Sequence, residues 1–205
     1  GLAYAPLMIA DEIGAFQRFG LEVKWVRMGS GAHIREALIT GEVDAGFMGI
    51  APFLLGWDKG APWKIAAGFG VTPVDLNTHR EDIRSLADFK PGHKIAVPSP
   101  GSLQHILLAM AAERELGDPR ALDSMLVSMP HPDAMAALLS RRAVDAHFAT
   151  PPYVFEEQKS RGIHTVLRGF NAFGGVYNFN VAVVSRRYHD GDPIGYACFL
   201  QGLSF

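Results

Sequence analysis

MGSGAHIREALITGEVDAGFMG, residues 28–49, returns in a related form 101 residues later as MPHPDAMAALLSRRAVDAHFAT, residues 129–150. Each copy has a loop, a run with apolar residues at helical spacing, a tight turn, and a short apolar strand entered through Val-Asp-Ala. Six of the 22 aligned positions are identical: Met28/Met129, Leu38/Leu139, Val43/Val144, Asp44/Asp145, Ala45/Ala146 and Phe47/Phe148. The repeat predicts one helix-turn-strand unit used twice, and therefore a chain of two lobes.

The sequence on either side of the repeats continues the alternation of helices and strands. Apolar spacing predicts helices over 6–19, 32–40, 50–60, 103–116 and 151–160, and strands over 21–27, 43–48, 63–68, 93–97, 165–167 and 177–184. Such alternation is typical of an α/β fold in which each lobe has a mainly parallel sheet flanked by helices. The pattern breaks near residues 71–77 and 174–183, which we interpret as two hinge crossings. The predicted lobes are residues 1–73 with 183–205, and residues 74–182.

Composition excludes several classes of protein. The chain has 205 residues, is 48% hydrophobic and carries a formal net charge of -2, which gives no electrostatic footprint for nucleic acid or an anionic membrane. Its single cysteine, Cys198, cannot form an internal disulfide. No apolar run approaches the roughly 20 residues that span a bilayer. Residues 1–2 are typical of the end of a strand, so we expect a leader and a first strand to precede residue 1.

Four stretches carry a family resemblance: APLMIADEIGAFQRFGLEVKW from residue 5, SGAHIREALITGEVDAGFMG from residue 30, SLADFKPGHKIAVPSPGS from residue 85, and DAMAALLSRRAVDAHFATPPY from residue 133. They resemble the periplasmic solute-binding proteins of ABC importers, in the group that takes up nitrate, alkanesulfonates, taurine or thiamine-pyrimidine precursors. The resemblance implies a type II two-lobed binding fold, capture of a small solute in the cleft, delivery to a membrane permease and a periplasmic or other extracytoplasmic location. Such proteins continue beyond the point that corresponds to residue 205, so we expect the first lobe to be incomplete.

Loops rich in small residues are the candidate ligand site. In open α/β sheets, ligands bind outside the carboxyl ends of strands, where loops lead into helix N-termini that carry about half a positive charge. Loops of this kind are predicted at 4–6, 29–32, 49–52, 99–102 and 150–153, and they favour an anion such as a sulfonate, nitrate or carboxylate. The predicted ligand-binding residues are Tyr4, Ala5, Gly29, Ser30, Gly31, Gly49, Ile50, Ala51, Ser99, Gly101, Ser102, Gln104, Thr150, Tyr153, Tyr177 and Asn178.

Each loop also has an ordinary structural interpretation. Residues 29–31 and 100–102 could simply cap helices. His33 and His105 follow candidate loops and could donate to an anion, or could be solvated on a helix face. His131 and His147 lack a Cys, Asp or Glu partner at metal-ligand spacing, so we expect neither a metal nor a cofactor. No Gly-Lys-Ser/Thr follows either Gly-rich loop, which argues against nucleotide hydrolysis.

Other classes of function remain open. The fold that the resemblance implies also supports a desulfinase and a pyrimidine synthase, and a solute-sensing domain would have a similar sequence. We nevertheless expect no catalysis, because Cys198 is interpreted as a buried small hydrophobe and Ser102 with His105 lacks an orienting acid. The predicted mechanism is hinged closure of a monomer over its solute.

Overall fold

The computed structural model describes residues 4–28 and 31–205. The chain forms two compact units: unit 1 is residues 1–70 with 178–205, and unit 2 is residues 71–177. In chain order the helices and strands are α1 (Ala5–Glu12), α2 (Ala15–Arg18), α3 (Gly31–Thr40), β1 (Ala45–Gly49), α4 (Ile50–Asp58), β2 (Trp63–Val71), β3 (Asp75–Thr78), β4 (Ile95–Val97), α5 (Leu103–Leu116), β5 (Leu126–Ser128), α6 (His131–Ser140), β6 (Ala146–Ala149), α7 (Tyr153–Lys159), β7 (His164–Arg168), α8 (Gly169–Phe173), β8 (Asn178–Ser185), α9 (Arg186–Gly191) and α10 (Pro193–Ser204). Short 3-10 helices span Leu86–Asp88 and Asp123–Met125.

Unit 1 is built on a three-stranded sheet in the order β1-β8-β2. β1 and β8 are antiparallel, with Phe47 opposite Ala182 and Gly49 opposite Asn180. Because side chains alternate across a strand, β8 covers two cores. Val181 and Val183 pack with residues of α3 and α4, whereas Val184 packs with Phe16 and Phe199.

Unit 2 has a five-stranded sheet in the order β5-β4-β6-β3-β7. β4 is parallel to β5 and β6, whereas β3 is antiparallel to β6 and β7. Helix α6 covers this sheet through Ala134 and Leu138, which pack with Ala96 and Val144. The α/β class is therefore confirmed, but the sheets are mixed where mainly parallel ones were expected. Hydrophobic periodicity reports which face of a strand is buried and carries no information on strand direction.

The repeat is present as α3 with β1 in unit 1 and α6 with β6 in unit 2, although its two copies do not bury identical positions. Leu38 is buried in its core, but its partner Leu139 is 39% exposed and Leu138 takes the buried position. Phe148 is fully buried on β6, while Phe47 is partly buried among aromatic rings. The short sequence match therefore corresponds to a helix followed by a strand in each copy, but it did not predict which helix face is buried.

Several predicted elements differ from the structure. The helix expected over 6–19 is interrupted at Gly14, whose φ of 67° is left-handed. Residues 21–24 alternate in burial and contribute Leu21 and Val23 to the core of Phe16. Trp25 and Val26 are exposed, and the segment 21–27 forms no strand. A strand needs a hydrogen-bonded neighbour, and no strand within residues 4–28 and 31–205 pairs with this segment.

The two stretches interpreted as crossings also contain regular structure. Residues 71–77 include most of β3, and the Gly-rich stretch from residue 169 begins with α8. Strand β5 was not predicted, because three residues are too few to show a period. The predicted lobe limits of 73/74 and 182/183 compare with unit limits of 70/71 and 177/178, so that β8 belongs wholly to unit 1.

Candidate functional site

The carboxyl end of β1 gathers several of the predicted ligand residues in unit 1. Helix α4 begins directly after β1, with Gly49 in extended conformation (ψ 150°) as its N-cap, and Gly49 has no side chain with which to cap the first N-H groups. The hydroxyl of Tyr4, the residue before α1, donates to the carbonyl oxygen of Phe47 over 3.4 Å, and burial raises the pKa of Tyr4. Ala5 is the first residue of α1.

Gly31 joins the same edge from α3. A Cβ at Gly31 would lie 2.9 Å from Cγ of Pro52 in the first turn of α4, so only glycine lets the two helix starts approach this closely. Ile50 and Ala51 supply the first backbone N-H groups of α4. Gly29 and Ser30, the other predicted residues of this loop, lie outside the described residues.

Asn180 is a polar residue of this region that sequence reasoning missed. It is 1% exposed, it is the ladder partner of Gly49, and its side-chain Nδ2 has no hydrogen-bond partner among the residues described. An unsatisfied buried donor costs about 1–3 kcal/mol. The alternation of β8 could have singled it out, because Asn180 begins the run of buried residues, whereas the predicted Asn178 is exposed.

Asn178 and Asn180 therefore have different roles in unit 1. A Cβ at Gly68 would lie 2.6 Å from Cγ of Asn178, so the Asn178 side chain covers β2. Asn180 lies opposite Gly49, and its side chain is on the same side of the sheet as Val184 and Phe47, the side away from the core that α4 covers. A buried amide donor without a partner can bind an anionic or carbonyl oxygen.

The loop before α5 in unit 2 is largely an ordinary helix cap. Ser102 is the N-cap, and its hydroxyl accepts from the backbone N-H of His105 over 3.4 Å. Gly101, with φ of 74°, donates its backbone N-H to Nδ1 of His105 over 3.0 Å, and the other ring nitrogen of His105 lies 3.2 Å from Asp123. Ser99 is exposed in the preceding turn. These hydrogen bonds support the interpretation of residues 100–102 as a helix cap.

Gln104, Thr150 and Tyr153 all lie close to α6 and β6. The Gln104 side chain is 3% exposed, and its amide nitrogen lies 3.2 Å from Nε2 of His131. The ring of Tyr153 stacks on His131 with centroids 5.7 Å apart. The carbonyl oxygen of Thr150, which is 9% exposed, accepts from Val154 and so begins α7. His131 was not predicted to take part, because its partners lie far apart in sequence.

Tyr177 is buried in unit 2 against Phe170 and Phe173, and its hydroxyl has no hydrogen-bond partner among the described residues. Burial, reinforced by the charge of Asp75, strongly raises the pKa of Tyr177, so the hydroxyl keeps its proton. Tyr177 is therefore a predicted ligand residue with an unsatisfied donor, as Asn180 is an unpredicted one.

The described part of the chain contains neither a candidate metal cluster nor a candidate membrane-spanning helix. No cluster of three or more His, Cys, Asp or Glu side chains is arranged there to hold a metal ion. Within residues 4–28 and 31–205 no helix is long and apolar enough to cross a bilayer. Cys198 is partly buried on α10.

Buried donors without a partner, such as those of Asn180 and Tyr177, are polar groups that a small-molecule ligand can satisfy. The sequence of residues 2–167 matches the NMT1-like family, and the chain therefore belongs to that family. A curated relative from Bacillus subtilis (strain 168), named "Putative aliphatic sulfonates-binding protein", is 26% identical over 208 residues. That match covers 96% of this chain and 59% of the relative, so the chain spans somewhat more than half the length of the protein it resembles.

Solved structures show the same fold. The periplasmic aliphatic sulphonate binding protein SsuA from Escherichia coli superposes with a TM-score of 0.77 at 22% identity, covering 98% of this chain and 68% of that one. The alkanesulfonate-binding protein SsuA from Xanthomonas axonopodis pv. citri, solved with bound MOPS, gives 0.71 at 24% identity with the same coverage. A Candida albicans gene product with the generic periplasmic binding protein fold gives 0.71 at 15% identity, covering 98% and 66%. The predicted periplasmic-binding-protein fold is confirmed.

Proposed function

We propose that this chain is the solute-binding component of an ABC uptake system and that it captures a small anion of the alkanesulfonate class. Its role would be to deliver the solute, chemically unchanged, to a membrane permease from an extracytoplasmic location. The names of the similar proteins from three bacteria support the sulfonate class. Nitrate, taurine and a pyrimidine precursor are the competing solutes that the sequence resemblance implies.

The observation that carries this proposal is the buried amide of Asn180, the strand partner of Gly49 at the carboxyl end of β1. Its Nδ2 is a hydrogen-bond donor without a partner in the described chain, and Gly49 leaves the first N-H groups of α4 uncapped by a side chain. Both groups offer hydrogen atoms and partial positive charge, so they would select an acceptor and reject a cation. A sulfonate has three acceptor oxygens and could satisfy several donors at once.

The hydroxyl of Tyr177 adds a second unsatisfied donor. Because its pKa is raised, it would meet a ligand oxygen as a neutral O-H group and would cause no charge repulsion. The remaining predicted site residues stay candidates. Capture between the lobes and hinged closure likewise stay predictions.

A thermal-shift screen of the purified chain tests the proposal. The panel would contain ethanesulfonate, taurine, nitrate and a thiamine-pyrimidine precursor, with ethylammonium as a cation of similar size to ethanesulfonate. A ligand that binds only the native state raises its stability by RT ln(1 + [L]/Kd), which is about 2.7 kcal/mol at 100 times Kd. We expect ethanesulfonate to raise Tm and ethylammonium to leave it unchanged.

Calorimetric titration would then give Kd and stoichiometry for each anion that raises Tm. A Tm raised by ethylammonium, or by none of the anions, would contradict an anion-binding function. A Tm raised by nitrate or the pyrimidine precursor alone would keep solute binding and reject the sulfonate class.

A further inference from the structure

An unbroken series of side-chain hydrogen bonds runs through unit 2 and ends at Gln104. Asp75 accepts from Gln158 over 3.1 Å, and the same amide nitrogen of Gln158 donates to Thr165 over 3.1 Å. The Thr165 hydroxyl donates to Asn77 over 2.8 Å, and Asn77 donates to Glu157 over 2.9 Å. We call these residues, with the two histidines that follow, the polar series.

The second half of the polar series connects Glu157 to Gln104 in the first turn of α5. Nδ1 of His147 lies 2.5 Å from Oε1 of Glu157, and Nε2 of His147 lies 2.8 Å from Nδ1 of His131. Nε2 of His131 in turn lies 3.2 Å from the amide nitrogen of Gln104. Asn77, His147 and Glu157 are fully buried, so water does not compete for these bonds.

The donors and acceptors of the polar series fit together in one direction. The Asp75 carboxylate accepts a hydrogen bond from the Gln158 amide. Because Gln158 also donates to the Thr165 oxygen, the Thr165 hydroxyl hydrogen is free to donate to Asn77. The Asn77 carbonyl oxygen therefore faces Thr165, and its NH2 group faces Glu157. Glu157 as a carboxylate then accepts from Nδ1-H of His147. The bare Nε2 of His147 accepts from Nδ1-H of His131, and the bare Nε2 of His131 accepts from Gln104. With both imidazoles neutral, this order places the proton on Nδ1 of His131 and of His147.

We infer that Glu157 is a positioning residue that acts through His147 and His131 to fix the orientation of the Gln104 side-chain amide in the first turn of α5. One amide hydrogen of Gln104 is used by His131, which leaves its Oε1 and its second N-H for a ligand. This inference rests on the proposed function, because it assigns Gln104 to the solute site.

The inference is testable because the opposite order of donors and acceptors along the polar series would place the imidazole protons on other nitrogens. If Glu157 were protonated, it would donate to Nδ1 of His147, both histidines would carry the proton on Nε2, and Gln104 would have to turn its Oε1 toward His131. Long-range proton-nitrogen NMR of histidine-labelled protein at pH 7 distinguishes the two forms. We expect both His131 and His147 to carry the proton on Nδ1, and a proton on Nε2 of either ring would overturn the inference.

Two variants and a matched control extend the test. Glu157→Gln removes the charge that orders the polar series, and we expect the proton of His147 to redistribute between its two nitrogens. Glu156→Gln makes the same change at the preceding residue of α7, where the side chain is exposed and pairs with Lys159, and should leave both tautomers unchanged. Unaltered tautomers in a folded Glu157→Gln protein would overturn the role of Glu157.

Calorimetric titration with ethanesulfonate gives the functional readout. We expect Glu157→Gln and Gln104→Leu each to weaken binding by roughly 3- to 10-fold, the range of one hydrogen bond, and the double variant to be no weaker than either single one. Additive losses, or unchanged binding by Gln104→Leu, would overturn the inference.

If Glu157→Gln fails to fold, the tautomers of the wild-type protein and the affinity of Gln104→Leu still test the inference. If the wild-type chain binds none of the anions, the proposed function is wrong. The inference, which rests on that function, is then wrong as well, whatever the tautomers of His131 and His147.

Discussion

Nδ1 of His131 lies 2.8 Å from Nε2 of His147, and the ring of Tyr153 stacks on the imidazole of His131. Burial, reinforced by repulsion from His147, lowers the pKa of His131 from 6.5 to about 4. The folded chain therefore keeps His131 neutral at pH values where the unfolded chain is already protonated.

Stability should depend on pH for this reason. A depressed histidine pKa leaves the free energy of unfolding highest above pH 6.5 and lowers it as the pH falls toward 4, by at most about 3 kcal/mol. Urea unfolding at pH 7.5, 6, 5 and 4 measures this slope, and His131→Asn should flatten it. An equal slope in wild type and variant would show that other groups cause the pH dependence.

Replacing Asn180 should separate folding from binding. Asn180→Leu removes an unsatisfied buried amide and keeps a similar volume, so we expect the fold to gain about 1 kcal/mol or to stay unchanged. Ethanesulfonate affinity should fall at least tenfold. Gln201→Leu makes the same change from amide to Leu at an exposed residue of α10 that was not predicted to bind ligand, and this control should bind normally. Normal binding by Asn180→Leu would remove Asn180 from the site.

Tyr177→Phe makes the corresponding test in unit 2. The variant deletes only a hydroxyl that has no partner in the described chain, so its Tm should equal or exceed that of wild type. Calorimetry should show weaker ethanesulfonate binding, by roughly 2- to 10-fold for one neutral hydrogen bond. A lower Tm with unchanged affinity would assign the hydroxyl a structural role.

Gly46 should tolerate no side chain. A Cβ there would lie 2.5 Å from Cγ2 of Ile34, so Gly46→Ala must push α3 away from β1 and should cost about 1–3 kcal/mol. Gly175→Ala is the control, because its Cβ would meet no atom within 4 Å and its φ is not left-handed. Urea midpoints of the two variants compare them directly, and equal midpoints would show that α3 moves without cost.

Much of the fold could be predicted from local patterns. Helix α5 spans Leu103–Leu116, as its apolar spacing and the Gly117 C-cap indicated. The repeat located α3 with β1 and α6 with β6. Residues 21–27 show the limit of such patterns. Their alternation predicts a strand, whereas burial alternates only over residues 21–24 and no ladder forms with the described strands.

The candidate site was predicted less completely. Small residues before helices marked the start of α4 and the cap of α5, but the same pattern could not distinguish an uncapped helix start from one already satisfied by Ser102 and His105. Asn178 and Asn180 look alike in sequence, and only burial separates them.

The α/β class and the repeated helix-strand unit could be predicted from the sequence, because they depend on the spacing of apolar residues along the chain, and the family resemblance rests on the four stretches quoted above. Tertiary structure alone decided strand direction and which polar groups meet. Glu157 and His131 are brought together through His147 because α6, α7 and β6 fold against one another, and hydrogen bonds across such distances in the chain leave no periodic trace in the sequence.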